Sequence, residues 1–305
     1  MITIDFMSKR KIAAVTSAVL LVLSVGGLIV NGLNLGLDFT GGSLVEVGYE
    51  EPVDAEEIRH YLQEQGYQNG TVQFFGAETD ILIRMPPQAS RDQAKLGDEI
   101  FATLQARNPD VSLRQSSFVG PAVGEELTED GGLAVLTALI VVMLYILFRF
   151  TKQFSAGAVL ALAHDVFIVL GLFAIFQWTF DLTVLAALLA VIGYSLNDTI
   201  VVSDRIRENF RRVRKSAPID VINTSLNQTL GRTMVTSMTT LFVLLALLLA
   251  GGEVIRGFAL ALTIGVVVGT YSSIFVAASV LLAMNITRED LLVPEREENP
   301  DGSYP

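Results

Sequence analysis

Asp198 is a carboxylate in a run, Leu182 to Val202, that is otherwise apolar enough to cross a lipid bilayer. At about 1.5 Å per residue and a hydrocarbon core roughly 30 Å thick, a centred span puts Asp198 about 9 Å from the midplane, still inside hydrocarbon. A central aspartate carries an insertion cost of about 2.5 to 3.5 kcal/mol, so Asp198 is expected to face a protein interior or a water-filled cavity and to carry a partner or a proton. Arg232 opens the fifth apolar run on the same half of the membrane. Burial favours the neutral form of a carboxyl and a nearby arginine favours the charged form, so a carboxylate that alternates between the two settings takes up and releases a proton. Ser195 with Asp198 (i,i+3) and Arg232 with Thr236 (i,i+4) are helical neighbours, which places hydroxyls to complete a polar seam, with Asn197 and Thr199 beside the carboxylate. The competing reading of Asn197 and Asp198 is an interhelical polar contact with no transport role.

His164 and Asp165 fall near the centre of the third run. His164 reads equally as a proton relay or as a side chain satisfied by a neighbouring helix, and Asp165 as a support. Asp165 and Asp198 could instead share a proton as an aspartyl protease dyad does. Asn197 stands where the Gly-x-Gly-Asp signature of intramembrane aspartyl proteases needs glycine, and Arg232 would oppose proton sharing. The chain has no His-Glu-x-x-His, no Gly-x-Ser-x-Gly and no phosphate-cradling Gly-Lys-Ser/Thr loop. The expectation is therefore a protein that is not an enzyme and needs no cofactor or metal, with protons as the coupling ion.

These residues must be held by membrane helices. The chain is 51% hydrophobic, and windows of about 20 apolar residues pick out six spans: Ile12 to Val30, Leu133 to Phe148, Phe154 to Phe176, Leu182 to Val202, Thr233 to Ala250 and Phe258 to Met284. The expected fold class is an α-helical polytopic membrane protein of six transmembrane helices, with one α+β ferredoxin-like domain between the first and second. The expected boundaries are a cytoplasmic N-terminus at 1–11, the first helix at 12–33, the α+β domain at 34–127 and a five-helix region at 128–285. That last region contains a basic, amphipathic linker at 204–231, and a disordered tail follows at 286–305.

Charge sets the orientation. Lys9, Arg10 and Lys11 precede the first span, Arg149 and Lys152 join the second to the third, and Arg205 to Lys215 fill the link between the fourth and fifth. By the positive-inside rule both termini are cytoplasmic and residues 34–126 are outside. The net charge of -11 argues against nucleic acid as a partner, and the bilayer takes its place.

Within the external segment, Ser43 to Tyr49 alternates as a strand, and Asp54 to Gln65 reads as a helix with Asp54 and Glu57 as a capping box. Thr71 to Phe75 and Ile81 to Met85 read as strands around a hairpin-like loop at Gly76 to Asp80. Ser90 to Ala106 reads as a helix capped by Ser90 and Gln93, and Val111 to Phe118 as the last strand. The order is the β-α-β-β-α-β of ferredoxin-like domains. Ile219, Ile222, Leu226 and Leu230 recur at helical spacing, which predicts an amphipathic helix at the inner interface or running into the fifth span.

Four motifs in order carry a resemblance: Gly36-Leu-Asp-Phe-Thr-Gly-Gly42, Val119-Gly-Pro-Ala-Val-Gly-Glu-Glu-Leu127, Ala163-His-Asp-Val166 and Gly193-Tyr-Ser-Leu-Asn-Asp-Thr199. The chain resembles the SecF family, membrane subunits of the bacterial SecDF protein-export complex, and Phe39-Thr40 is similar to SecF rather than to SecD. The resemblance implies a pairing with SecD into a twelve-helix unit similar to resistance-nodulation-division transporters. It implies work beside the SecYEG channel and SecA, with YajC and YidC as further partners, on preproteins crossing the bacterial inner membrane under the proton motive force. It also implies that Asp198 and Arg232 are the essential membrane aspartate and arginine, and that Asp38, Gly41 and Gly42 belong to a family motif. On residues alone the glycine pair is a tight turn, and the resemblance adds a hinge. The alternatives are a proton-coupled small-molecule exporter of the same superfamily and an assembly factor without proton flux.

Overall fold

The computed structural model describes residues 4–88, 91–213, 216–287 and 290. Ser90 as a helix cap, Arg214 and Lys215 of the basic run, and the tail from Arg288 other than Asp290 lie outside the described residues.

A 3₁₀ turn, Met7–Lys9, leads into α1 (Arg10–Val30). A two-residue strand β1 (Asn34–Leu35) and one turn of helix, α2 (Leu37–Thr40), connect α1 to the sheet domain. That domain runs β2 (Gly42–Gly48), α3 (Ala55–Glu64), β3 (Thr71–Phe75), β4 (Ala77–Met85), α4 (Leu96–Arg107) and β5 (Ser112–Val119). The remainder is α5 (Pro121–Arg149), α6 (Lys152–Phe176), β6 (Thr179–Phe180), α7 (Leu182–Arg212), α8 (Pro218–Ala250) and α9 (Glu253–Ser272), followed by a π-helical turn (Ser273–Ala277) and α10 (Ala278–Ala283). Among the described residues six helical segments are long and apolar enough to cross a membrane.

The sheet order is β3-β4-β2-β5 with every pair antiparallel. Val45 lies opposite Ile83 on one side and Ser116 on the other, and Val47 opposite Ile81. Alternation puts Val45, Val47, Ile81 and Ile83 on one face, where Ile58 and Leu62 of α3 and Leu96, Ile100 and Leu104 of α4 close a core of their own. Asp54 caps α3 by accepting from Glu56 N–H (2.8 Å). Glu57 does not complete the expected capping box, because its carboxylate pairs with Arg107 of α4. The expected loop at Gly76 to Asp80 is shorter than read. Gly76 adopts φ +82°, so the chain reverses at one residue and β4 starts at Ala77. The second helix starts at Leu96 rather than Ser90. Gln93 spends its amide on Gln88 and Arg91 backbone instead of a helix N-terminus.

In the helical region α6, α7 and α9 form the packed centre, and α1, α5 and α8 lie at its periphery. Three boundaries differ from expectation. α5 begins at Pro121, which suits the first helical position, so the sheet domain ends at Val119 rather than at residue 127. The basic linker expected at 204–231 is helical on both sides: α7 continues to Arg212 and α8 starts at Pro218, since helical periodicity persists after hydropathy falls. The sixth span is interrupted by the π-helical turn. At the start of α8, Asn227 accepts from Ile4 N–H and donates to Ile4 O (2.8 Å each), and Asn223 accepts from Phe6 N–H (2.8 Å). These amides moor the chain entering α1.

Candidate functional site

The helix that carries Asp198 is anchored at its N-terminus by two carboxylates. Asp181 Oδ1 accepts from Val184 N–H (2.9 Å) and Thr183 Oγ1 (2.7 Å), and Asp38 Oδ2 accepts from Leu182 N–H (3.0 Å). Both satisfy orphan backbone donors and sit at the positive end of the α7 dipole. Asp38 reaches that position because β1 pairs in parallel with β6, Asn34 beside Thr179 and Leu35 beside Phe180, and because Phe39 stacks on Phe180 at 6.0 Å. Gly41 (φ +67°) and Gly42 (φ +121°) then turn the chain into β2, in conformations other residues rarely adopt. A Cβ on Gly42 would lie 2.4 Å from Met85 O. Arg84 of β4 faces the same junction. Burial lowers its pKa, against which the carboxylates of Asp181 and Asp38 act. The sheet domain is thus tied electrostatically to the N-terminus of α7.

Further along α7, Val184, Leu188, Val191, Ser195, Asp198, Thr199 and Val202 turn inward. α9 approaches this face closely: a Cβ on Gly265 would meet Val191 Cγ2 at 2.1 Å. Asp198 is 3% exposed, and its Oδ2 is buried with no hydrogen-bond partner. The cation acting on it is Arg232 of α8, whose own side chain lies on the exposed side of the chain. A buried, unsatisfied carboxylate oxygen is costly unless it is protonated or paired.

The other expected site residues divide. Thr199 is buried beside Asp198. Asn197 is exposed, because adjacent residues on a helix point about 100° apart and Asp198 already faces inward. Thr236 donates to Arg232 O (2.6 Å) in its own helix and so does not extend the seam. Ser195 gives its hydrogen to Asp165 Oδ2 (2.5 Å) rather than to its neighbour Asp198.

His164 and Asp165 sit in a cluster of their own, both almost fully buried. His164 Nδ1 lies 2.9 Å from Asp165 Oδ1, and Nε2 lies 3.1 Å from Ser17 Oγ of α1. Ser272 Oγ of α9 donates to Asp165 Oδ2 (2.7 Å). Tyr271 stacks near His164 at 6.0 Å, lies 3.0 Å from Ser17 Oγ, and donates to Ala13 O (2.7 Å). Sequence reasoning missed Ser17, Tyr271 and Ser272. The run Tyr271-Ser272-Ser273 inside an apolar span was the available signal. The π-helical turn starts directly after Ser272, a form that often marks functional positions.

Comparison with known proteins gives a consistent result. Residues 99–287 match the family model "Protein export membrane protein SecD/SecF, C-terminal", and residues 26–53 match "SecD/SecF GG Motif". The chain is 49% identical over 297 residues to the protein translocase subunit SecF of Vibrio alginolyticus, covering 97% of this chain and 94% of that protein. It is 48% identical over 302 residues to the SecF subunit of Pseudomonas aeruginosa, covering 98% and 97%. Among solved structures, SecDF of Thermus thermophilus, described as a translocon-associated membrane protein, aligns with a TM-score of 0.85 at 38% identity over 93% of this chain. This chain spans 39% of that longer one.

Proposed function

This chain belongs to the SecF family, and we propose that it uses the proton motive force to promote the outer stage of preprotein export as an accessory subunit of the Sec protein translocase. In this reading it pairs with SecD to complete a twelve-helix unit and works beside SecYEG and SecA, with YajC and YidC as further neighbours, in the bacterial inner membrane. The ferredoxin-like sheet domain lies outside and both termini lie in the cytoplasm. The observation that carries the reading is Asp198, a buried carboxylate with an unpartnered oxygen in the middle of a membrane helix. Proton exchange at Asp198, with Arg232 as the counter-charge, shifts α7. Asp38, Asp181 and Arg84 pass that shift to the sheet domain, with Gly41-Gly42 as the pivot.

Asp198→Asn keeps the side-chain volume but cannot titrate, so it abolishes gradient-dependent export while leaving assembly intact. Arg232→Lys keeps a charge but loses the planar fork, and restores only part of the activity that Arg232→Ala loses. Both are read from preprotein export in membrane vesicles with and without a proton gradient. Normal gradient dependence in Asp198→Asn overturns the reading. The chain has no cysteine, so Glu64→Cys and Lys152→Cys each supply a single thiol. An impermeant thiol reagent labels them from opposite sides, and labelling from one side removes the topology.

A further inference from the structure

We propose that His164 and Asp165 form a second proton-binding site, distinct from Asp198, which holds its proton as an imidazolium–carboxylate pair. The cluster is held by one chain of hydrogen-bond contacts. From the Asp165 carboxylate to the Ala13 carbonyl there are four: Asp165 Oδ1 to His164 Nδ1 (2.9 Å), His164 Nε2 to Ser17 Oγ (3.1 Å), Ser17 Oγ to Tyr271 Oη (3.0 Å) and Tyr271 Oη to Ala13 O (2.7 Å). The carboxylate and the carbonyl at the two ends only accept. The three groups between them bring one hydrogen each when the imidazole is neutral. Three hydrogens cannot fill four contacts.

One added proton fills all four in a single direction. Nδ1–H donates to Asp165 Oδ1, Nε2–H to Ser17 Oγ, the Ser17 hydroxyl to Tyr271 Oη, and the Tyr271 hydroxyl to Ala13 O. The added proton resides on the ring rather than on the carboxyl, because Asp165 Oδ2 already accepts from Ser195 (2.5 Å) and Ser272 (2.7 Å). Three donors converge on the two carboxylate oxygens, and each of these hydrogen bonds favours the ionised form over the protonated one. The pair is neutral overall, so occupancy by the proton leaves no net charge in the apolar core. Its loss leaves a buried anion and one contact without a hydrogen.

Among the described residues, no other charged side chain hydrogen-bonds to the cluster. α1 brings Ser17, α7 brings Ser195, and α9 brings Tyr271 and Ser272. The π-helical turn and α10 carry no ionisable residue, and those of α5 lie towards its ends. On α7, Tyr194 beside Ser195 turns its hydroxyl to Ser237 of α8, and the next carboxylate is Asp198, three residues beyond Ser195. Two proton sites therefore flank about one turn of the same helix. This inference stands apart from the export reading, since it concerns the protonation of one ring.

The chain contains two histidines, and His60 is exposed on α3, so His60→Gln leaves His164 as the only imidazole. The whole chain, labelled with ¹⁵N-histidine and reconstituted in phospholipid bilayers, is titrated by solid-state NMR from about pH 5 to pH 9. The expected spectrum at neutral pH shows both ring nitrogens protonated. Tyr271→Phe keeps the ring that stacks on His164 and packs against Phe275 but removes two of the four contacts and one hydrogen. Two hydrogens then fill two contacts without an added proton, so the imidazolium resonances are lost at neutral pH. Asp165→Asn loses them as well. A neutral ring in the parent across the whole range overturns the proposal, as does an imidazolium that Tyr271→Phe leaves unchanged.

Discussion

In the sheet domain the buried side chains are Val45, Val47, Ile81, Ile83, Leu96 and Ile100, and charged groups such as Glu56, Arg59 and Lys95 stay at the surface. In the helical region the buried set includes His164, Asp165, Ser195, Asp198 and Thr199, whereas Val22 and Ile29 of α1, Leu133 of α5 and Phe242 of α8 point outward. The inversion follows from the solvent each region meets. Water drives apolar side chains together, so the sheet domain is held by the area it buries. Lipid gives no such drive between apolar helices, and close packing with interhelical hydrogen bonds holds them instead. A polar group is also free to be functional there, because it is shielded from bulk water and its proton counts.

Removing apolar volume breaks the sheet domain most. Ile83 is fully buried between Val45 and Val72 on neighbouring strands, and Ile83→Ala costs about 2 to 5 kcal/mol. With its separate core, a fragment of residues 42–119 unfolds cooperatively in urea, and the substitution lowers the midpoint. A broad, non-cooperative transition removes the distinction between the two regions.

The helical core fails by the opposite change, added volume at a close contact. Gly265→Leu places side-chain atoms where Val191 already stands and costs about 1 to 3 kcal/mol, read as a lower melting temperature in detergent. An unchanged melting temperature would mean that α7 and α9 are not held by close approach.

The smallest effect sharpens the contrast through pH. Burial pushes Tyr49 of the sheet domain up to about 12, partly opposed by Arg107. The phenol is therefore neutral in the folded domain at pH values where the unfolded chain ionises it. The stability it contributes is complete below about pH 10 and is lost as pH rises towards about 12. Partial exposure reduces the loss to about 1 to 2 kcal/mol. Tyr49→Phe flattens that part of the profile, measured by urea unfolding of the same fragment, and a profile unchanged by the substitution refutes the assignment.

Much of the local structure was legible in the chain. Hydropathy over contiguous residues marks each of the six membrane helices, alternation marks β2, and Asp54 marks the start of α3, because each signal lies within one element. Boundaries were less legible where composition and periodicity part company, as at Pro121, where helix begins well before hydrophobicity does. The order of elements in the sheet domain followed from local patterns. Its strand pairing came from contacts between distant segments.

For the site, the sequence alone determined that Asp165, His164 and Asp198 lie within apolar spans, because the cost of an ionisable group in hydrocarbon depends only on its neighbours along the chain. Only the tertiary structure decided what each one meets. Ser17 reaches His164 across 147 residues and Tyr271 across 254, and neither carries a spacing that announces the contact. Asn197 and Asp198 are adjacent in sequence yet face opposite environments, since rotation about the helix and the packing of α9 on α7 select one of them for the interior. Asp38, read as part of a motif, turned out to cap a helix that begins 144 residues later. A hydrogen bond depends on distance in space, and packing sets that distance after the chain has folded.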